Sequence, residues 1–184
     1  PSYVAGVVGQ AISLDGTNDY VELPIGSVIA NSTSMSISLW VNWAAAGGGW
    51  QRIFDFGTGT SVNMFLTPSA SGGTTGVMRF AITTTGSAGE SRLNASQTLP
   101  TGWHHVAVVI DGLNKQMWLY LDGELLASGP TNVIPKDLGV TTQNWLGRSQ
   151  YAADAYLTGQ IDELKIYDRV LSPAEVRYLA GDKP

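Results

Sequence analysis

Apolar and polar residues alternate with a period of two along most of this chain. In Met35-Ser36-Ile37-Ser38-Leu39-Trp40-Val41-Asn42-Trp43 the apolar set falls on 35, 37, 39, 41 and 43. Successive side chains of a strand point to opposite faces, so the segment predicts a strand with one face in a core. Trp40 breaks the polar set and points the other way. Further strands are expected over 10–14, 20–23, 52–56, 63–66, 77–83, 104–110, 116–121, 124–127, 144–147 and 159–167. Turn signals separate them. Asp122-Gly123 is a two-residue hairpin loop that supplies the positive φ of a type I′ turn. Asp111-Gly112 opens another reversal. Gly47-Gly48-Gly49, Ser71-Gly72-Gly73 and residues 86–89 read as loop tips. Many short strands with regular turns imply a sandwich or jelly roll. One helix is expected near the end, where Ser172-Pro173-Ala174-Glu175 forms a capping box with Pro at the first helical position. Val176 and Leu179 would pack it on the sandwich, and Gly181 would end it.

Composition narrows the class. The chain has 184 residues, 43% of them hydrophobic, which suits one large β-sandwich spanning 1–184. No apolar run approaches the roughly 18 residues of a membrane span. Pro1-Ser2-Tyr3-Val4 has neither a basic end nor a signal-type core, so a mature domain excised from a longer protein is expected. There is no cysteine, hence no disulfide, thiolate metal site or Cys nucleophile. The net charge of −5 is spread without blocks, which disfavours nucleic acid, where clustered Lys and Arg are needed. The basic amphipathic stretch of a membrane-surface helix is missing too.

Four segments together resemble the laminin G-like (concanavalin A-like) jelly-roll lectin domains. They are Leu14-Asp15-Gly16-Thr17-Asn18-Asp19-Tyr20-Val21, Ser36-Ile37-Ser38-Leu39-Trp40-Val41, Gly102-Trp103-His104-His105-Val106-Ala107-Val108-Val109 with Leu119-Tyr120-Leu121-Asp122-Gly123, and residues 159–172. Their order covers nearly the whole chain. The resemblance implies an all-β, two-sheet antiparallel jelly-roll sandwich whose first and last strands are close. It also implies binding rather than catalysis, since many such modules serve secreted glycoside hydrolases as carbohydrate-binding modules. Others sit in adhesins or act as protein-interaction domains. Fold analogy does not name a ligand, so the site is argued separately.

Asp15-Gly16-Thr17-Asn18-Asp19 offers two carboxylates, one amide and several carbonyls in five residues, a chemistry that suits calcium. The same residues are also common turn formers. Since the family places the last strand beside the first, the resemblance implies that Asp162 completes a structural calcium site with Asp15 and Asn18.

An enzyme of this fold class would need paired carboxylates on one strand face. Asp162 and Glu163 are adjacent and alternate, Asp122 and Glu124 flank a tight turn, and Asp55 and Glu90 are isolated. His104-His105 cannot both face one metal, and no Gly-x-Ser-x-Gly elbow is present. A catalytic role is therefore not expected; one histidine should pack in the sandwich and the other face outward.

Sugar recognition needs aromatic faces and a few directed polar groups in a concavity. Two segments combine them. In residues 50–56, alternation would put Arg52 with Phe54 on one face and Gln51, Ile53 and Asp55 on the other. Residues 144–151 are polar and aromatic around Gly147. Trp50, Arg52, Asp55, Asn144, Arg148 and Tyr151 are the candidate oligosaccharide or polysaccharide contacts. Arg52 and Arg148 either bind ligand or pair internally with Asp55 or Asp154; free, they would favour an acidic sugar, and paired, a neutral one. The sequence thus reads as a secreted or cell-surface module attached to further domains.

Overall fold

The computed structural model describes residues 1–71 and 76–181. Gly72 and Gly73 of the expected loop tip lie outside them. Among these residues thirteen strands form two antiparallel sheets. The first sheet contains β1 (Ser2–Ala5), β2 (Gln10–Asp15), β4 (Met35–Trp43), β9 (Gly102–Asp111), β10 (Gln116–Leu121), β11 (Glu124–Pro130) and β13 (Thr158–Tyr167), in the order β1-β2-β13-β4-β9-β10-β11. The second contains β3 (Val21–Glu22), β5 (Phe54–Gly59), β6 (Val62–Thr67), β7 (Arg79–Thr83), β8 (Ser91–Asn94) and β12 (Gln143–Leu146), in the order β3-β12-β5-β6-β7-β8.

The core lies between the sheets. Met35, Ile37, Leu39, Val41 and Trp43 supply one inner face, and Phe54, Phe56, Met64, Leu66, Phe80 and Ile82 the other. The period-two pattern fixes this directly, because a slip of one residue would turn each set outward. Asp122 and Gly123 both adopt positive φ, 50° and 84°, as a type I′ hairpin needs. The helix α2 (Pro173–Leu179) carries the expected capping box: Glu175 N–H donates to Ser172 Oγ, and Ser172 N–H to Glu175 Oε2. Val176 seats it against Ala107, Val109 and Tyr120 on the outer face of the first sheet.

Among the described residues, two strands and one α-helix fall outside the sequence reading. β1 is an exposed edge strand, β8 alternates only polar residues with Leu93, and the one-turn helix α1 (Gly26–Asn31) buries only Gly26 and Ile29. None presents a periodic apolar face long enough to register.

The last strand does lie beside the first hairpin, since β13 pairs with β2. The expected ligand set is nevertheless not brought together. Asp15 stands opposite Thr158, and Asp162 lies four residues further along β13, about 13 Å away at ~3.3 Å per residue. Asp15 Oδ1 accepts the amides of Thr17 at 2.8 Å and Asn18 at 3.3 Å, which holds its carboxyl below the usual range. Asp162 instead accepts Val8 N–H at 2.9 Å and Glu163 N–H at 2.8 Å. Asp162 therefore closes the β1–β2 turn and a bulge in β13, where Glu163 takes φ 50°. It shares no site with Asp15 and Asn18.

Asp162→Ala is expected to remove two charge-assisted bonds, costing about 2 kcal/mol and several degrees of Tm. The loss should be equal in calcium and in chelator, as read by thermal melts. A calcium-dependent stabilisation that vanished only in the variant would reinstate the shared ion.

Candidate functional site

The outer face of the second sheet gathers charged and aromatic side chains in one place. Across its strands Glu22, Trp145, Asp55, Phe65, Ala81 and Arg92 stand opposite one another in turn. This row points away from the core, because the residues flanking it on each strand are the core residues Phe54, Phe56, Met64, Leu66, Phe80 and Ile82. Yet Asp55 and Phe65 are buried. What buries them is a pair of loops folded down over the sheet.

The first loop, residues 44–53, is tied by Gln51. Its Oε1 accepts Trp43 Nε1–H at 2.9 Å and Thr158 N–H at 3.2 Å, and its Nε2 donates to Ala46 O at 2.6 Å. The loop is not extended: Trp50 has φ 57°, and the strand begins only at Phe54. The expected alternation through 50–56 fails for that reason. Arg52 does not share the face of Phe54; it turns to the outer side and meets Asp55.

The second loop, residues 147–157, packs beside the first. Gln150 N–H donates to Asp55 Oδ2 at 3.0 Å. Ser149 Oγ–H donates to Asp154 Oδ2 at 2.7 Å, and Tyr151 O–H to Thr60 O at 3.2 Å.

Arg52 joins both loops to the sheet. Only 2% of it is exposed. Its Nη1 donates to Trp50 O at 2.6 Å, its Nη2 lies 2.9 Å from Asp154, and its Nε 3.3 Å from Asp55. Its planar guanidinium lies 4.1 Å over the Phe65 ring, a cation–π contact strengthened by burial. A lysine could not fork in this way.

Around this group opens a pocket of about 390 Å³. Trp50, Tyr151 and Phe65 give it aromatic surface; Arg52, Arg79, Glu90, Arg92 and Asp154 give it polar groups. Each of its guanidiniums has a carboxylate within 4.0 Å, since Arg79 and Arg92 share Glu90. Arg79 also donates to Asn94 Oδ1 at 2.7 Å and stacks at 5.3 Å from the Trp50 ring. Burial pushes the Glu90 carboxyl up and the Arg79 guanidinium down.

Three of the six expected contacts, Trp50, Arg52 and Tyr151, thus line one pocket. Asp55 lies beneath it, fully buried, and acts by holding Arg52 and Gln150. Asn144 stands opposite Phe56, so it faces inward; its amide is spent on Thr141, accepting from Oγ1 and donating to the carbonyl. It is a structural residue, not a ligand contact. Arg148 lies on the far side of the 147–157 loop, 4.1 Å over Trp145 and 4.7 Å over Tyr20, beside a smaller depression of about 220 Å³. The two expected arginines therefore do not share a cleft. Arg79, Glu90 and Arg92, which do share it with Arg52, lie on β7, β8 and the turn between them. Their charges at isolated positions in separate weak strands carried no local signal.

Desolvation raises Asp55 from 3.8 to about 7, against the pull of Arg52. Between those values the folded protein holds a proton that the unfolded chain has released, so this group's contribution falls as pH rises through the window. Glu90 is shifted in the same direction. Tm is expected to decline from about pH 4 to 7, and Asp55→Asn, which stays neutral throughout, should flatten most of that decline in pH-dependent melts. An unchanged slope in the variant would remove Asp55 as its source.

Among the described residues no helix is long and apolar enough to cross a membrane. The chain is similar in structure to domain 4 of AbnA, a GH43 extracellular arabinanase from Geobacillus stearothermophilus, in complex with arabinotriose. The TM-score is 0.77 at 27% identity, covering 97% of this chain and 80% of that one. The carbohydrate-binding module CBM40 of the Ruminococcus gnavus IT-sialidase, bound to α2,3-sialyllactose, superposes with a TM-score of 0.76 at 18% identity, over 93% and 96% of the two chains. This second likeness concerns the fold alone. Among curated proteins, the rat sushi, von Willebrand factor type A, EGF and pentraxin domain-containing protein 1 is 32% identical over 89 residues, 45% of this chain, which spans only 2% of that protein's length. The jelly-roll sandwich and the family model that matches residues 15–177 agree: the chain belongs to the concanavalin A-like lectin/glucanases superfamily.

Proposed function

We propose that the domain is a non-catalytic carbohydrate-binding module that takes a neutral oligosaccharide in the Trp50–Arg52–Tyr151 pocket. The observation that carries this reading is the make-up of that pocket. Aromatic surface can accept the C–H faces of a sugar, while guanidinium groups at its edges can donate to hydroxyls and carboxylates accept from them. The internal pairing of the three arginines leaves no guanidinium without a counter-charge, which favours a neutral sugar over an acidic one. Binding rather than hydrolysis is favoured because Asp55, Asp154 and Glu90 are each engaged with an arginine. The bound arabinotriose of the arabinanase domain makes pentose oligosaccharides the first ligands to try. In a secreted parent enzyme such a module would raise the local concentration of its polysaccharide.

Calorimetric titration with arabino-oligosaccharides, other neutral glycans and sialyllactose tests the proposal. A neutral glycan is expected to bind, with affinity lowered about tenfold or more by Trp50→Ala. Arg52→Lys should abolish binding, since the loops over the sheet lose their common anchor. Preference for sialyllactose, or binding untouched by Trp50→Ala, would sink the reading.

A further inference from the structure

The depression beside Arg148 adjoins the Trp50–Arg52 pocket, because Tyr151 and Asp154 line both. These two residues are the ends of a tight turn, closed by Asp154 N–H donating to Tyr151 O at 3.1 Å. Its middle residues, Ala152 and Ala153, are exposed. The turn that parts the two concavities therefore carries nothing larger than a methyl group at its tip. At about 220 Å³ the smaller concavity is below the roughly 300–1,000 Å³ of an independent ligand site. As an extension of the 390 Å³ pocket it adds more than half as much space again.

Its chemistry differs from that of the larger pocket in one respect. Arg148 is half-buried and lines the depression. Its guanidinium lies over Trp145 and Tyr20, whose rings meet edge-on at 6.0 Å. Whereas Arg52, Arg79 and Arg92 each have a carboxylate within 4.0 Å, Arg148 has none among the described residues, and it donates no hydrogen bond there. Aromatic faces hold the planar fork while its N–H groups stay unspent. Such a fork is preorganised to donate to two neighbouring oxygens of a ligand.

Asp154 supplies the complementary acceptor. Its side chain is 16% exposed, and its bonds from Ser149 and Arg52 both fall on Oδ2, which leaves Oδ1 for a hydroxyl. With Arg148 and Asp154 the depression is lined by one charge of each sign. Hydroxyl groups suit that pair better than a carboxylate, which Asp154 would repel. Tyr156 and Tyr151 add ring surface for the C–H face of a sugar.

We propose that the two concavities are adjoining subsites for one linear neutral oligosaccharide. One sugar unit lies against Trp50 and Tyr151, and a later unit, across the 151–154 turn, sets neighbouring hydroxyls on Arg148. The inference rests on the reading of the Trp50 pocket as a glycan site and adds to it a preference for longer chains.

Calorimetric titration with arabinobiose through arabinohexaose, and with cellobiose through cellohexaose as a second neutral series, tests it. In the series that binds, Kd is expected to fall about tenfold or more from the shortest chain to the longest. Arg148→Ala should erase that gain and leave the Kd of the shortest chain unchanged, which also shows that the variant is folded. Tyr156→Ala should act in the same way, and Trp50→Ala should weaken every length. Equal Kd at all lengths, a long-chain Kd that survives both Arg148→Ala and Tyr156→Ala, or a loss in these variants that is equal at every length would overturn the extension and leave the Trp50 pocket as a glycan site. Binding of neither series, or binding indifferent to Trp50→Ala, would overturn both.

Discussion

The buried guanidinium of Arg52 is the interaction on which the glycan pocket depends. A sheet alone offers a ribbed surface, not a concavity. Here two loops must be drawn down over the second sheet, each already anchored at one end in the core by Ile53 or Leu157. Arg52 ties their outer parts together: a carbonyl of the first loop, a carboxylate of the second and a carboxylate of the strand all converge on one planar cation. Taking these charges out of water is costly, and an apolar replacement of equal volume can be as stable or more so. The network is therefore better understood as specifying where the loops sit than as a source of net stability. Asp55 shows the cost directly, since even beside a guanidinium its carboxyl is pushed up to about 7.

The legibility of the sequence follows from the same distinction. Wherever a strand buries one apolar face, the period of two identified it: β4, β9, β10 and β13 were all expected within two residues of their ends. Hairpin chemistry at Asp122-Gly123 and the capping box at Ser172 were equally local, so they too were readable. The family resemblance placed β13 beside β2. What it could not give was register. One pairing offset decides whether Asp162 meets Asp15 or Val8, and that offset is set by Thr158 standing opposite Asp15.

The candidate site was half legible for related reasons. Trp50, Arg52 and Tyr151 stood out because aromatic and guanidinium groups cluster there. Their neighbours were misassigned where alternation was extended past the end of a strand. With Trp50 at φ 57° the chain turns before β5, and Arg52 moves to the side opposite that expected. Asn144 failed the opposite way: it does sit in a strand, and regular alternation turns it inward while Trp145 faces out. Arg79 and Arg92 reach the pocket only through cross-strand neighbours, a relation between distant segments that no local pattern encodes.

The two sheets arrive at concavities by the same device. On the second, a buried strand carboxylate, Asp55, accepts the backbone N–H of Gln150 and pulls the 147–157 loop over the sheet. On the first, Asp162 accepts the backbone N–H of Val8 and pulls the β1–β2 turn over it. In each case a charge-assisted bond of about 3 Å to a strand carboxylate helps hold a wall over the sheet face. The walls then exist before any ligand arrives. A ligand entering such a depression is spared much of the cost of ordering a loop, so modest contacts with a few aromatic rings can suffice. The chemistry of the two floors differs, however. One is lined by paired arginines and carboxylates, the other by a neutral imidazole and an indole.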